Sequence, residues 1–442
     1  MSCLQRVEAT NPPANTESIT ELERPLTPEE EKRKREEELK KEKERAYKLP
    51  VQSNEIPSWP QGMGTYAQSA IVMDIESGAI LYAKNIDEQL YPASITKILT
   101  TLVALENAKL EDRVQITEEC VSFLKSGYAQ IGLKVGEEIS MEEALYATLL
   151  KSANEAAYAV GANTGEGYEW FLTQMNQRAK ELGAANSNFT NTHGLFDEDH
   201  YTTTHDMALI SSELFKHQEA FTIMQKPTAV IPPTNVDEAE KHMSQNHKML
   251  QPEHPKYYEY TTGGKTGFIN QSGTTLVTYA SKNDKHLVCV VMKTWADSVY
   301  DDTRNLLEYG FQNFEKVTIA DGDILDSLNI IEHNGHVMLP EGVTVQELEM
   351  DVIRDEGEEN TGSIIYSYRG QNVGIVKVTF YDNTEDIKRA QETVRMLMEK
   401  TRIASGTDRI SKNNDWTIIV IVGNIIALSV LVITQFISKR KP

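Results

Sequence analysis

The sequence predicts an α+β fold, with an antiparallel sheet flanked by helices and a helical subdomain. A small β-rich domain and a C-terminal transmembrane helix are expected to follow. Three observations predict it. Strand-like runs stand at both ends of residues 61–316 with helical periodicity between them. From about Val317 the texture changes to short alternating strands. Residues 416–437 carry no Lys, Arg or Glu after Trp416 and are about the 20 residues a bilayer requires.

A chain of 442 residues is long enough for one sizeable domain and a smaller one. Its 40% apolar and 25% charged content is ordinary for a globular protein. A formal net charge of −22 and a pI of about 5.0 argue against nucleic acid as a partner. The three cysteines, Cys3, Cys120 and Cys289, make no framework, and Cys289 reads as a buried strand residue in Leu287–Val291, so no disulfide is inferred. His193, His200 and His205 share one loop-like stretch without ligand spacing, and neither a metal nor another cofactor is expected.

Residues 1–60 read as a charged segment outside the domain, either disordered or a solvated single helix, because Glu29 to Lys48 is almost entirely Glu, Lys and Arg. Ile71–Ile75, a Glu76-Ser77-Gly78 turn and Ala79–Tyr82 predict a β-hairpin. A helix carrying Ser94 in its first turn follows, through Leu105. Ser140-x-x-Glu143 is a capping box that opens a helix to Leu150, and Ala156–Ala162 predicts another. Gly183 to Leu209 is loop-rich, then helical. Thr274–Tyr279, a polar turn and Leu287–Val291 form an antiparallel hairpin, and Asp297–Phe314 a helix. The β-rich domain spans 317–401, with Ser363–Tyr368 and Val373–Phe380 as its clearest hairpin and a polar helix at its end. A linker, 402–415, leads to the span. Lys439-Arg440-Lys441 in the tail, 438–442, predicts a cytoplasmic end and an extracytoplasmic catalytic domain in a single-pass protein of the cell membrane. That orientation requires export. Met1 to Thr20 shows neither a basic n-region nor an apolar h-region, so the expectation is that Met1 is not the start of the precursor, or that its signal is trimmed or misassigned.

Three motifs stand in one order: Ser94-x-x-Lys97, Ser152-x-Asn154 and Lys265-Thr266-Gly267. Each alone is weak. S-x-x-K recurs at Ser122/Lys125 and Ser438/Lys441, and S-x-N recurs at Ser281, Ser327 and Ser411; as single copies they read as capping or solvated residues. The S-x-N copies at Ser281, Ser327 and Ser411 follow Lys265, and K-T-G occurs once, opening a strand after paired glycines. Acyl transfer needs this set of groups. Ser94 is the candidate nucleophile. Lys97, desolvated near Lys265, would have its pKa lowered enough to act as base. Ser152 can relay a proton between Lys97 and a leaving amine, and Asn154 can hold Lys97 and the substrate backbone. Lys265 and Thr266 offer charge and hydrogen bonds to a carboxylate. Backbone N–H groups of Ser94 and Phe268 would form an oxyanion hole, with Gly264 and Gly267 permitting close approach of the backbone.

These residues resemble the serine-type D-alanyl-D-alanine carboxypeptidases, the low-mass penicillin-binding proteins. The resemblance covers about residues 66 to 315. It rests on Tyr91-Pro92-Ala93-Ser94-Ile95-Thr96-Lys97, Lys151 to Ala157 and Gly264 to Gly267, with Thr192-His193-Gly194-Leu195, His200 to Thr203, Asp206-Met207-Ala208 and Asp302 to Phe311 in support. It implies a penicillin-binding, β-lactamase-like fold and removal of the terminal D-alanine from peptidoglycan stem pentapeptides through an acyl-serine. It implies β-lactams as covalent inhibitors, a β-rich second domain and a C-terminal membrane anchor. The full hydrophobic span and the long charged N-terminal segment depart from that pattern. A D,D-endopeptidase would use the same chemistry. A class A β-lactamase would need a Glu-x-x-x-Asn loop that is not evident between Ser152 and Lys265, and a non-catalytic wall-binding scaffold would have no need of a nucleophile with its base.

Overall fold

The computed structural model describes residues 27–319, 328–330, 335–355 and 361–380. The expected polar helix near 384–401, the linker, the span 416–437 and the tail lie outside the described residues. Among the described residues no helix is long and apolar enough to cross a membrane.

The chain opens with α1 (Pro28–Tyr47), capped by Thr27, whose hydroxyl accepts from Glu30 N–H at 3.3 Å. Of the two readings left open for the charged segment, residues 28–47 adopt the solvated helix. The boundary expected after residue 60 is corrected, because the chain packs on the domain from Ala46 onward. Ala46, Val51, Ser53 and Trp59 are buried, and the Trp59 indole donates to Leu81 O at 3.0 Å. The last turn of α1 is anchored by Lys84, a fully buried lysine whose amine donates to Ala46 O (2.7 Å), Thr65 O (2.8 Å) and Ala67 O (2.7 Å). Burial lowers the pKa of Lys84 to about 8.

The predicted first hairpin is β1 (Ser69–Asp74) and β2 (Ile80–Lys84), paired antiparallel. A 3-10 turn over Ala93–Thr96 precedes α2 (Lys97–Asn107). Next come β3 (Arg113–Gln115), α3 (Glu118–Ser122), β4 (Glu138–Ser140), α4 (Met141–Leu150) and α5 (Asn154–Ala162). The Ser140 capping box forms as expected: Ser140 N–H donates to Glu143 Oε2 at 2.7 Å and Ser140 Oγ accepts from Glu143 N–H at 3.2 Å. Helices α6 (Tyr168–Glu181), α7 (Thr204–Leu214) and α8 (Gln218–Met224) complete the helical part, followed by the short pair β5 (Thr228–Ile231) and β6 (Lys241–Ser244). The meander β7 (Thr261–Ile269), β8 (Gly273–Lys282) and β9 (Lys285–Thr294) leads into α9 (Val299–Asn313).

The main sheet runs in the order β2-β1-β9-β8-β7, antiparallel throughout, with β7 at one edge. Successive side chains of a strand point to opposite faces. On one face Ile71, Met73, Val288 and Val290 pack with Ile98, Leu99, Leu102 and Val103 of α2, within the helical part. On the other, Ala70, Val72, Leu287, Cys289 and Val291 pack with Leu306 and Leu307 of α9. Both faces are covered, which is why β9 reads as a continuous apolar run. Helix α2 is buried from Lys97 through Ala104, so its apolar residues need no single stripe.

The β-rich part comprises β10 (Phe314–Thr318), β11 (Leu328–Ile330), β12 (His336–Pro340), β13 (Glu349–Arg354), β14 (Thr361–Tyr368) and β15 (Gln371–Phe380), with β10 paired to β12 and the other four in the order β11-β15-β14-β13. Val337, Leu339, Val373 and Val376 join the core beneath the outer face of the main sheet. Hydrogen bonds fasten the two parts: Ile375 N–H to Ser77 O at 2.7 Å, the Gln371 amide to Ile80 O at 3.0 Å, and the His336 ring to Asp74 Oδ2 at 2.9 Å.

Candidate active site

Two expectations about local structure need correction. Ser94 lies in the 3-10 turn ahead of α2, not in the first turn of an α-helix. Ala93 has φ 51°, in the left-handed region, and the Thr96 hydroxyl folds back to donate to Ala93 O at 2.8 Å. At three residues per turn, positions i and i+3 stack directly, so Ser94 and Lys97 meet. Nor does Lys265-Thr266-Gly267 open a strand: β7 begins at Thr261, and a register shift between Thr261 and Gly263 admits the paired glycines.

The structure brings the three motifs together. Lys97, fully buried, places Nζ 3.1 Å from Ser94 Oγ, 2.9 Å from Asn154 Oδ1 and 2.6 Å from His193 O. Burial holds its pKa well below the usual lysine value, the neighbouring Lys265 adds to that, and Glu155 opposes it. A neutral amine has two N–H donors and one lone pair. Asn154 Oδ1 and His193 O can only accept, so they take the two donors and the lone pair faces the Ser94 hydroxyl.

Lys265 projects from β7 and is buried, with its pKa lowered to about 7 by desolvation. Its amine donates to Ser152 Oγ (3.0 Å) and to Thr266 O (2.9 Å). Ser152 therefore joins the site through Lys265, where sequence reasoning placed it between Lys97 and the leaving group. It sits at φ 63° between α4 and α5, a left-handed kink that breaks one helix and starts the next. Asn154 is buried at the start of α5, and its N–H donates to Ala129 O at 2.9 Å.

Gly267 faces Ser94. A Cβ there would stand 2.3 Å from Thr275 Oγ1 and 2.9 Å from Ser94 N, so only glycine lets the edge strand approach the serine backbone. Ile269 N–H donates to Ser272 Oγ, toward the β8 side, and Gly264 N–H donates to Met224 Sδ on α8 at 3.3 Å. Alternation along the strand then aims Phe268 N–H away from β8, at the free edge, like that of Gly264. The Phe268 side chain is exposed. The close approach of Gly267 sets the Ser94 backbone N beside the strand that carries the Phe268 N–H.

The second copy of S-x-x-K, Ser122/Lys125, faces solvent at the end of α3, and the third lies outside the described residues. The three histidines expected to share one loop do separate work, and His205 lies in α7. The His193 ring stacks on Phe123 with centroids 4.8 Å apart, His200 spans the Thr96 hydroxyl (2.8 Å) and Thr190 N–H (3.1 Å), and His205 lies 3.5 Å from Asp87. Burial lowers the pKa of His200 to about 4 and that of His193 well below the usual value, so neither adds charge beside Lys97 at neutral pH.

Sequence reasoning missed three contributors. The His193 carbonyl acts through the backbone and leaves no mark in residue type. Gly194 has φ 80° and packs under Ala93, where a Cβ would come within 1.8 Å of Ala93 O. Glu155 is buried and accepts from Ile131 N–H (2.6 Å) and Gly132 N–H (3.1 Å), fastening the 129–132 segment beside Asn154. Its adjacency to Asn154 was the available signal.

A buried Ser-Lys pair on a turn before a central helix, a second serine and lysine, and a glycine-lined edge strand define a serine acyl-transfer site of the penicillin-binding kind. Residues 57–295, more than half of the chain, match the family model described as D-alanyl-D-alanine carboxypeptidase, peptidase S11, and the chain belongs to that family. It is 31% identical over 255 residues to the D-alanyl-D-alanine carboxypeptidase DacF of Bacillus subtilis and 30% identical over 265 residues to DacC of Escherichia coli. These alignments cover 56% and 57% of this chain but only 63% of each relative's length. A solved D-alanyl-D-alanine carboxypeptidase of Mycobacterium tuberculosis superposes with a TM-score of 0.52 at 27% identity, over 59% of this chain and 96% of that one. The Streptomyces K15 DD-transpeptidase shares the fold, with a TM-score of 0.53 at 24% identity over 57% and 99%.

Proposed function

We propose that the protein is a serine-type D-alanyl-D-alanine carboxypeptidase that removes the terminal D-alanine from peptidoglycan stem pentapeptides. The observation that carries this reading is the amine of Lys97, dry, 3.1 Å from Ser94 Oγ, with its other hydrogens engaged by Asn154 and His193 O. An extended peptide pairs with the free edge of β7, and its terminal carboxylate meets Lys265 and Thr266. That carboxylate favours the charged form of Lys265 once substrate is bound. Lys97 takes the Ser94 proton as Ser94 Oγ attacks the carbonyl carbon. The resulting oxyanion accepts from the N–H groups of Ser94 and Phe268. Ser152, beside Lys265, relays the proton that Lys97 has taken to the departing amine as the C–N bond breaks, so D-alanine leaves and Lys97 is neutral again. Water then attacks the acyl carbonyl, giving a proton to Lys97, and Lys97 returns it to Ser94 Oγ as the acyl C–O bond breaks. A β-lactam acylates Ser94 by the same steps, with its ring nitrogen as the tethered leaving group.

The apolar stretch 416–437 supports membrane anchoring, with the basic tail inside and the catalytic part on the extracytoplasmic side. Labelling with a fluorescent penicillin, paired with D-alanine release from a pentapeptide, tests the reading. Covalent labelling and release are expected together; labelling that persists in Ser94→Ala, or labelling without release, overturns it.

A further inference from the structure

The turn that carries the nucleophile is held from the sheet as well as from its own helix. Thr275 of β8 stands opposite Gly267 of β7 and is fully buried. It shares a face with Val277 and Tyr279, which pack into the helical part, so its side chain points toward the Ser94 turn. There its hydroxyl donates to Pro92 O at 2.8 Å. The bond passes over Gly267, where an added Cβ would meet Thr275 Oγ1, Ser94 N and Pro92 O together. One hydroxyl therefore spans from the sheet to the residue two positions before the nucleophile.

The backbone around Thr275 is shaped for that reach. The register of β8 on β9 slips between Thr274↔Thr294 and Leu276↔Val291, so Met292 and Lys293 oppose Thr275 alone, and Lys293 has φ 53°. A bulge of this kind twists the pair locally and re-aims a side chain. At the receiving end, Ala93 follows Pro92 in a left-handed conformation, which a residue with a side chain keeps only where its neighbours hold it. The Thr96 hydroxyl and Gly194 restrain Ala93 O from the helical part, and Thr275 restrains Pro92 O from the sheet.

We infer that Thr275 is a positioning residue for the reaction: its hydroxyl fixes the spacing between the Ser94 N–H and the Phe268 N–H, and with it the width of the pocket that receives the oxyanion. Thr275 lies behind Gly267 and acts through the Pro92 carbonyl. Donors stabilise developing charge only when they are held where that charge appears, so a loosened turn weakens the transition state more than the bound ground state. The inference rests on the carboxypeptidase reading above.

The test compares the full chain with Thr275→Val, which keeps the shape and removes the hydroxyl, with the smaller Thr275→Ala, and with Thr275→Ser, which keeps the hydroxyl. Stopped-flow labelling with a fluorescent penicillin separates initial binding from the first-order acylation constant. A second probe is an N-acyl-D-boroalanine, whose boron bonds to Ser94 Oγ and sets a hydroxyl where the oxyanion would lie. Thr275→Val and Thr275→Ala should slow acylation by about 10- to 100-fold and weaken the boronate by a similar factor, with initial binding of the penicillin unchanged. Thr275→Ser should recover most of both losses. First-order constants do not depend on the amount of folded protein, so partial unfolding does not mimic the result. Acylation at the parent rate in Thr275→Val or Thr275→Ala overturns the inference. So does a loss confined to initial binding, a boronate affinity that holds while acylation falls, or a Thr275→Ser variant as slow as Thr275→Val. Each of those outcomes leaves the carboxypeptidase reading standing. Failure of the unaltered protein to take the label or to release D-alanine from a pentapeptide overturns that reading and the inference with it.

Discussion

Replacing Lys265 with methionine should make the protein more stable and much less active at once. The amine is buried and its pKa stands at about 7 against 10.5 for an ordinary lysine. At about 1.4 kcal/mol per pH unit, that gap amounts to about 5 kcal/mol of folding free energy given up below pH 7. Methionine removes that penalty at similar volume. It also removes the hydrogen bonds to Ser152 Oγ and Thr266 O, each worth about 1 kcal/mol net, so the gain at pH 7 should be about 3 kcal/mol. The sign follows from proton counts. Between pH 7 and 10.5 the unfolded chain holds a proton on this lysine that the folded chain has released, so the stability of the unaltered protein rises with pH across that window. Lys265→Met removes that rise, and its advantage should shrink by about 1.4 kcal/mol per pH unit above 7. Urea unfolding at several pH values from 6 to 9.5 measures the difference between the two proteins directly. A difference that stays constant with pH, or a variant less stable than its parent at pH 6, would refute the claim that this amine is held neutral by desolvation.

Ser94→Ala should abolish covalent labelling by penicillin, whereas Ser122→Ala, on the solvent-facing copy of the motif, should label like the parent. Acylation should fall as pH drops through the depressed pKa of Lys97, and in Lys265→Met that acid limb should move to higher pH, because one of the two influences depressing it is gone; an unmoved limb in stopped-flow acylation would count against the coupling. Gly267→Ala drives a methyl toward Thr275 Oγ1 and Ser94 N and should slow acylation by about 100-fold, read by the rate of labelling. Gly194→Ala should cost at least about 1–3 kcal/mol in denaturant unfolding, since its methyl would overlap Ala93 O.

The parts of the fold that were readable in the sequence are those where side-chain period and burial agree. The strands β8 and β9, the hairpin β14–β15 and the capped helix α4 all stand where alternation, turns and the Ser140 box place them. The site was readable because acyl transfer demands particular residue types, and Ser94, Lys97, Ser152, Asn154 and Lys265 do converge. What escaped was carried by backbone. Left-handed Ala93 and Ser152 are not glycine, and the His193 carbonyl has no residue signature. Lys84 ends a strand where a lysine reads as solvated, yet it is buried under the chain from Ala46 to Ala67. The charge of residues 29–48 likewise hid the apolar Val51 and Trp59 that follow and set the true edge of the folded body.

Trp59 lies between Phe314, at 5.1 Å, and Tyr368, at 6.5 Å between ring centroids, so one indole from the first chain segment is wedged between β10 and β14 of the β-rich part. With Val337, Leu339 and Val376 in that same pile, the β-rich part serves as the roof of the sheet's outer side rather than as an appendage. Expression of the chain stopped after residue 316 would strip that roof and bare a greasy slab, and the shortened product should clump. The intact body, in calorimetry, should melt as one unit.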